Sequence, residues 1–194
     1  MAATLTQISE YLDQRQLQYT LQPDRSRLMT RVKTDFEEEE VLVVIQLEEN
    51  GQFFKVFIPQ VVSGVKDHPH KVAILQTMLI ISWETKMLQW EYDPKDGEIR
   101  AIIEFPLEDA NLTEQQFDRC FDGLVEMVAD WALPRLMEVM RSGADPGDED
   151  LVIGEQLLLA IQEESPGMLT LLEKAMEARK NRGQFPPRRR HSNA

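Results

Sequence analysis

The sequence predicts an α+β fold: an antiparallel five-stranded sheet packed by helices in the order α-β-β-β-α-β-β-α, plus a C-terminal helical extension. Three observations carry this expectation. A short amphipathic helix comes first, then three strand-like runs, a second helix, a strand pair and a long third helix. The turn signals Asn50-Gly51 and Asp96-Gly97 each separate two strand-like runs, and hairpins so short force antiparallel neighbours. The stretch Gly143 to Asp148 then reads as a linker, with two further helical patterns beyond it.

Helix one rests on Thr4 and Gln7, which have capping-box spacing, with Leu5, Ile8 and Leu12 following on one face. Its end is expected near Gln16. Leu17, Tyr19 and Leu21 alternate with polar residues as an extended lead into the sheet, and Pro23-Asp24-Arg25-Ser26 marks a turn. The first strand is Arg27 to Lys33, half-buried or at an edge, with Leu28, Thr30 and Val32 on one face. Asp35 to Glu40 is an acidic connection containing Phe36. Val41 to Leu47 is apolar at six of its seven positions, so both faces need some cover. After Asn50-Gly51 the chain returns as Phe53 to Ile58, and Pro59 ends that strand or marks its edge.

Helix two is expected to open at Asp67 to Pro69. Val72, Leu75, Met78, Leu79 and Ser82 give its stripe, widened by Ile74, Ile80 and Ile81. So broad an apolar surface exceeds what one sheet face covers. The second hairpin pairs Leu88 to Tyr92 with Glu98 to Phe105. Helix three begins at Thr113, again with a capping box to Gln116, and buries Phe117, Phe121, Leu124, Val125, Val128 and Ala132. Pro134 must kink or break it.

The expected organisation is a domain over 1–144, a helical extension over 145–180 and a disordered basic tail over 181–194. In the extension, Leu151 to Glu163 and Pro166 to Lys180 are the helices, and Ser165 before Pro166 suits an N-cap. The tail holds Pro186-Pro187 and Arg188-Arg189-Arg190. Those arginines suit an acidic lipid surface, RNA or the acidic body itself, and without aromatics they select none of these.

Composition narrows the function classes. The chain has 194 residues, is 42% hydrophobic and contains 8 Phe and 3 Trp, enough for a packed core. The formal charge of −13 repels polyanions, so nucleic-acid binding by the body is not expected, whereas solubility and basic partners suit it. The single cysteine, Cys120, excludes an internal disulfide and a cysteine-built metal site, and its place beside Phe121 suits a buried thiol. No apolar run reaches membrane-spanning length, and Met1 to Leu12 has no signal-type pattern. The expectation is a soluble, cytoplasmic protein.

No catalytic constellation stands out, so no enzyme activity, cofactor or metal is expected. Asp67, His68 and His70 offer a His-x-His pair, but at a helix start such residues read as a solvated cap. Asp93 to Glu98 begins like a calcium loop yet is too short and lacks the distal bidentate glutamate, so it reads as a hairpin turn. The acidic run Glu37 to Glu40 reads as a charged sheet rim that discourages edge pairing, or as a docking patch for a basic segment. Aromatic anchors are the remaining candidates for protein binding: Trp83 at the end of helix two, and Leu88, Trp90 and Tyr92 on the short hairpin strand. They either form an interface or fill the core.

The element order over residues 4 to 142 resembles the type III secretion chaperone-like fold. Within it, Leu28 to Lys33 after a turn, the Val41 to Ile58 hairpin, the mid-chain apolar helix and the Asp96-Gly97 hairpin resemble YbjN-like proteins. The resemblance implies a small acidic dimer that holds an extended segment of a client protein. YbjN-like proteins carry a label as sensory transduction regulators. A chaperone-like or adaptor protein that shields an apolar or basic segment of a client, with that client and a second copy as partners, is therefore the expectation; a signalling regulator or an assembly factor is the alternative. The segment after Asp148 departs from the simplest form of this fold.

Overall fold

The computed structural model describes residues 2–34, 40–108, 110–147 and 149–183. The chain divides into two compact units, Met1–Asp145 and Pro146–Ala194.

The first unit is α+β, as the sequence predicts. Helix α1 (Leu5–Gln14) is followed by β1 (Tyr19–Gln22), β2 (Arg27–Lys33), β3 (Glu40–Glu48), β4 (Phe53–Val62), α2 (Lys71–Glu84), β5 (Gln89–Tyr92) and β6 (Ile99–Pro106). Then come α3 (Glu114–Glu126), a π-helical turn (Met127–Ala132) and α4 (Leu133–Ser142). All strand pairs are antiparallel, in the order β1-β2-β3-β4-β6-β5.

The sheet has six strands where five are expected. The extra one is β1: the lead through Tyr19 and Leu21 pairs with Arg27–Thr30, so β2 lies inside the sheet and not at its edge. The turn between them works because Ser26 takes left-handed dihedrals (φ 49°) after a 3-10 turn at Pro23–Arg25. Pro59 does not end β4, although the pairing with β3 stops at Phe57 just before it. The strand continues to Val62 through a register shift between Ile58 and Val62, which absorbs the missing amide hydrogen, and Gln60 there has φ 52°.

Strand alternation puts Leu28, Val43, Ile45, Phe54, Val56 and Ile103 on one face of the sheet. The four helices of this unit all pack on that face, through Ile8 and Leu12, Ile74 and Ile81, Phe117 and Phe121, and Leu136 and Val139. Phe117 meets Phe54 edge-on at 6.3 Å and stacks on Phe121 at 5.5 Å. Each such fully buried side chain stabilises the fold by about 1.5–3 kcal/mol. Helix α1 is fixed to α3 by Arg15, which donates to Asp118 and Asp122 at 2.6 Å each. These two acceptors, Asp122 first, hold its guanidinium more firmly protonated than usual.

Thr113 and Gln116 form the full reciprocal box, whereas at α1 only half of the expected box forms: Thr4 Oγ1 accepts from the Gln7 amide at 3.2 Å, but the Gln7 side chain donates to the Tyr11 hydroxyl and the Leu112 carbonyl instead. Pro134 breaks the α3 pattern as expected, and the π-helical turn just before it accommodates the lost donor, leaving the proline in the first turn of α4.

The second unit consists of α5 (Glu149–Glu164) and α6 (Pro166–Gly183), joined by Ser165. Residues 181–183, expected in the tail, complete α6. Phe36 and most of the acidic run at 37–40, and Pro186, Pro187, Arg188 to Arg190 and His191 of the tail, lie outside the described residues.

Candidate protein-docking surface

Helix α2 is apolar around its whole circumference, so sequence periodicity gives it no definite phase. The structure supplies one. Ile74, Thr77, Met78 and Ile81 face the core. On the opposite side Val72, Leu79 and Trp83 form a row, 78%, 72% and 90% exposed. Their spacing (i, i+7, i+11) keeps all three within a narrow angular stripe. The expected inward stripe is therefore rotated: Val72 and Leu79 point to solvent, and Thr77 takes an inward place.

A buried polar network explains the rotation. Arg135 on α4 is 7% exposed and donates to both carboxylate oxygens of Asp145, at 2.7 and 2.9 Å, and to Glu84 at 2.6 Å. Thr77 Oγ1 donates to Asp145 at 3.2 Å. Glu84 and Thr77 both belong to α2. Satisfying these groups fixes the helix with its polar contacts inward and its largest apolar side chain outward.

The four residues nominated from sequence are not brought together as one surface. Trp83 stands in the exposed row. Leu88, 3% exposed, is in the core. Trp90 and Tyr92 pair with Ala101 and Ile99 on the helix-covered face of β5 and pack partly buried against the core. The Trp90 Nε1 and Tyr92 hydroxyl are buried without a hydrogen-bond partner among the described residues. Lys71 Nζ lies 5.0 Å from the Tyr92 ring centre, a cation–π approach. Val72 and Leu79 complete the row around Trp83; the signal that identifies them is the shared spacing, which the all-round apolarity of α2 masks.

The sheet offers two further features. On the face away from the helices, Met29, Val44, Phe57 and Ile102 are cross-strand neighbours in successive register across β2, β3, β4 and β6. Arg100 lies 5.5 Å over the Phe57 ring and pairs with Glu91, while Lys55 pairs with Glu104 at 3.0 Å. At one edge, β1 covers only Arg27–Thr30, leaving Arg31, Val32 and Lys33 without a strand on that side among the described residues. An open depression of about 960 Å³ follows this edge from Gln16 to Thr20 and along Met29 to Lys33.

The other nominated constellations have structural roles. The His70 amide donates to His68 Nδ1 at 3.1 Å at the start of α2, and no cluster of three potential metal ligands occurs among the described residues. Asp93 and Asp96 accept from the Lys95 and Glu98 amides, folding the hairpin turn. Cys120 is buried, and burial pushes its thiol pKa up. No described helix is long and apolar enough to cross a membrane.

No protein-family model matches this chain, and no curated protein does. Several solved chains are similar, two of them as follows. A chain of the HopA1–SchA chaperone–effector complex is 17% identical, with 65% of this chain and 90% of that chain covered and a TM-score of 0.46. YbjN from E. coli is 9% identical, with 69% of this chain and 92% of that chain covered and a TM-score of 0.49.

Proposed function

We propose that this protein works by binding another protein, as a chaperone-like or adaptor module, and catalyses no reaction of its own. The observation that carries this reading is the exposed row Val72, Leu79 and Trp83 on a helix held rigidly from behind. Leaving three large apolar side chains in water forgoes about 1.5–3 kcal/mol for each, which a partner's apolar groove or helix would recover. A protruding tryptophan on a fixed helix is the kind of anchor that dominates interface energetics. The client segment that fits is apolar with basic flanks, because the chain's net charge of −13 attracts such flanks and keeps the complex soluble. The open edge at Arg31–Lys33 suits an extended part of a client by strand addition.

The test uses the full chain. A partner captured from cell extract is purified and titrated directly against the wild type, Trp83→Glu and Leu79→Glu. Both variants should bind at least about 10-fold more weakly with unchanged melting temperature, since interface anchors are each worth about 2 kcal/mol or more. Undiminished binding by both would refute the reading. Rescue of a co-expressed client from aggregation distinguishes chaperoning from simple adaptor binding.

A further inference from the structure

The chain runs against α2 as it leaves the first unit. Helix α4 ends at Gly143, whose amide donates to the Val139 carbonyl at 2.8 Å and whose left-handed backbone (φ 78°) turns the chain. A Cβ at Gly143 would come within 2.5 Å of the His70 ring, so the bare glycine lies directly against the N-cap residue of α2. The Ala144 amide then donates to Ser142 Oγ at 3.1 Å. Two residues after the glycine, Asp145 accepts from Thr77 in the middle of α2 at 3.2 Å and takes two hydrogen bonds from Arg135. Residues 143–145 thus touch α2 at its start and about two turns further on.

Apolar burial alone gives α2 little reason to hold this orientation. It buries Ile74, Met78 and Ile81 and leaves Val72, Leu79 and Trp83 in solvent, side chains of similar kind on opposite sides. What distinguishes the two sides is polar, because this orientation brings Thr77 to Asp145 and Glu84 to Arg135. Asp145 is the member of that network that belongs to no helix. It is also the last residue of the first unit, and residues 146–148 alone separate it from α5, so a pull on that connection acts on Asp145 first.

We propose that residues 143–145 are a releasable strap that regulates the α2 row. Closed, the strap fixes the phase of α2 and pre-organises Val72, Leu79 and Trp83 for a partner. Open, Thr77 loses its acceptor and Arg135 keeps only Glu84. Helix α2, apolar on every side, then takes up several orientations of similar energy, and the row is no longer presented as one stripe. A partner that binds the ordered row favours the closed strap, and opening the strap weakens that partner's binding, because such coupling is reciprocal. The regulatory role rests on the docking role proposed for α2; the strap itself is tested without a partner.

Native-state hydrogen exchange of the full chain in low urea supplies the test. The amides of α2 and those of Gly143 and Ala144 should exchange through one shared opening, ahead of the amides of Phe117–Leu124 on α3. Asp145→Ala should speed exchange in α2 at least about 10-fold, the worth of a hydrogen bond to a charged group, and exchange in α3 less than about 3-fold. Thr77→Val leaves the Arg135–Asp145 pair in place and should speed α2 exchange about 3-fold or more, which keeps the test open where Asp145→Ala does not fold. Exchange of α2 only together with α3 would overturn the proposal, as would equal acceleration of both helices, or none. The docking role fails on a different reading, undiminished partner binding by Trp83→Glu and Leu79→Glu. A shared opening with undiminished binding would condemn the row as the site regulated, whereas weakened binding with α2 tied to α3 would condemn the strap alone.

Discussion

Arg135 sets the phase of α2 through single atoms. Its guanidinium is nearly fully buried and spends its donors on Asp145 and Glu84, with the Asp145 contact the stronger cause of its raised pKa. Removing one partner of a buried pair leaves uncompensated charge. Arg135→Ala is therefore expected to cost about 3 kcal/mol in denaturant unfolding, somewhat less than a fully enclosed pair because Glu84 is partly exposed. Tyr92 makes an opposite case. Its hydroxyl is buried without a partner among the described residues, so Tyr92→Phe should leave the melting temperature unchanged or raise it, and a loss above about 1 kcal/mol would show that the hydroxyl is satisfied. Cys120 was legible as a buried thiol from its place beside Phe121. Because its pKa is raised, the unreactive thiol form dominates at neutral pH, and alkylation should proceed only at the rate of unfolding. The contact of Thr77 with Asp145 was not legible, since the two residues are 68 apart in sequence.

Elements whose boundaries depend on local chemistry were read well. Thr113 caps α3 where the S/T-x-x-E/Q pattern places it, and Thr113→Ala should cost about 1 kcal/mol of stability, measured by thermal or urea unfolding. The Asp96-Gly97 turn was equally legible, but its importance is tertiary. Gly97 has φ 80°, and a Cβ there would strike the Lys66 backbone, so Gly97→Ala should destabilise by about 2 kcal/mol or more. That loss should appear as an earlier melting transition of the first unit. Helix α2 starts at Lys71 and not at Asp67 to Pro69, because Val65–Asp67 forms a 3-10 turn and His68 is extended before the helix can begin. The π turn ahead of Pro134 was beyond local reading: the proline announces a disruption, and the packing on both sides selects its form.

For the whole molecule, the surfaces matter more than the core. The first unit buries a continuous apolar cluster against one sheet face and still leaves the α2 row in solvent. Trp83→Glu should change unfolding free energy by no more than about 0.5 kcal/mol, as for other exposed positions, while reducing binding of an apolar dye to the full chain. Dye binding equal to that of the wild type would show that the row is not a usable apolar patch. The charge of −13 spread over the chain makes any basic-flanked contact weaken as salt is raised, whereas the apolar part of the same contact persists.

By itself the sequence determined what neighbouring residues decide: antiparallel pairing through two short turns, the caps of α1 and α3, and the break at Pro134. Period, cap and turn act within a few residues, so no distant contact is needed to read them. Only the tertiary structure decided which way α2 faces, that Tyr19–Gln22 joins the sheet, that β4 survives Pro59, and that Trp83 is exposed while Leu88 is not. A helix apolar on every side has no intrinsic inside. Its orientation is fixed when Arg135 and Asp145, supplied from elsewhere in the chain, require Thr77 and Glu84 as partners.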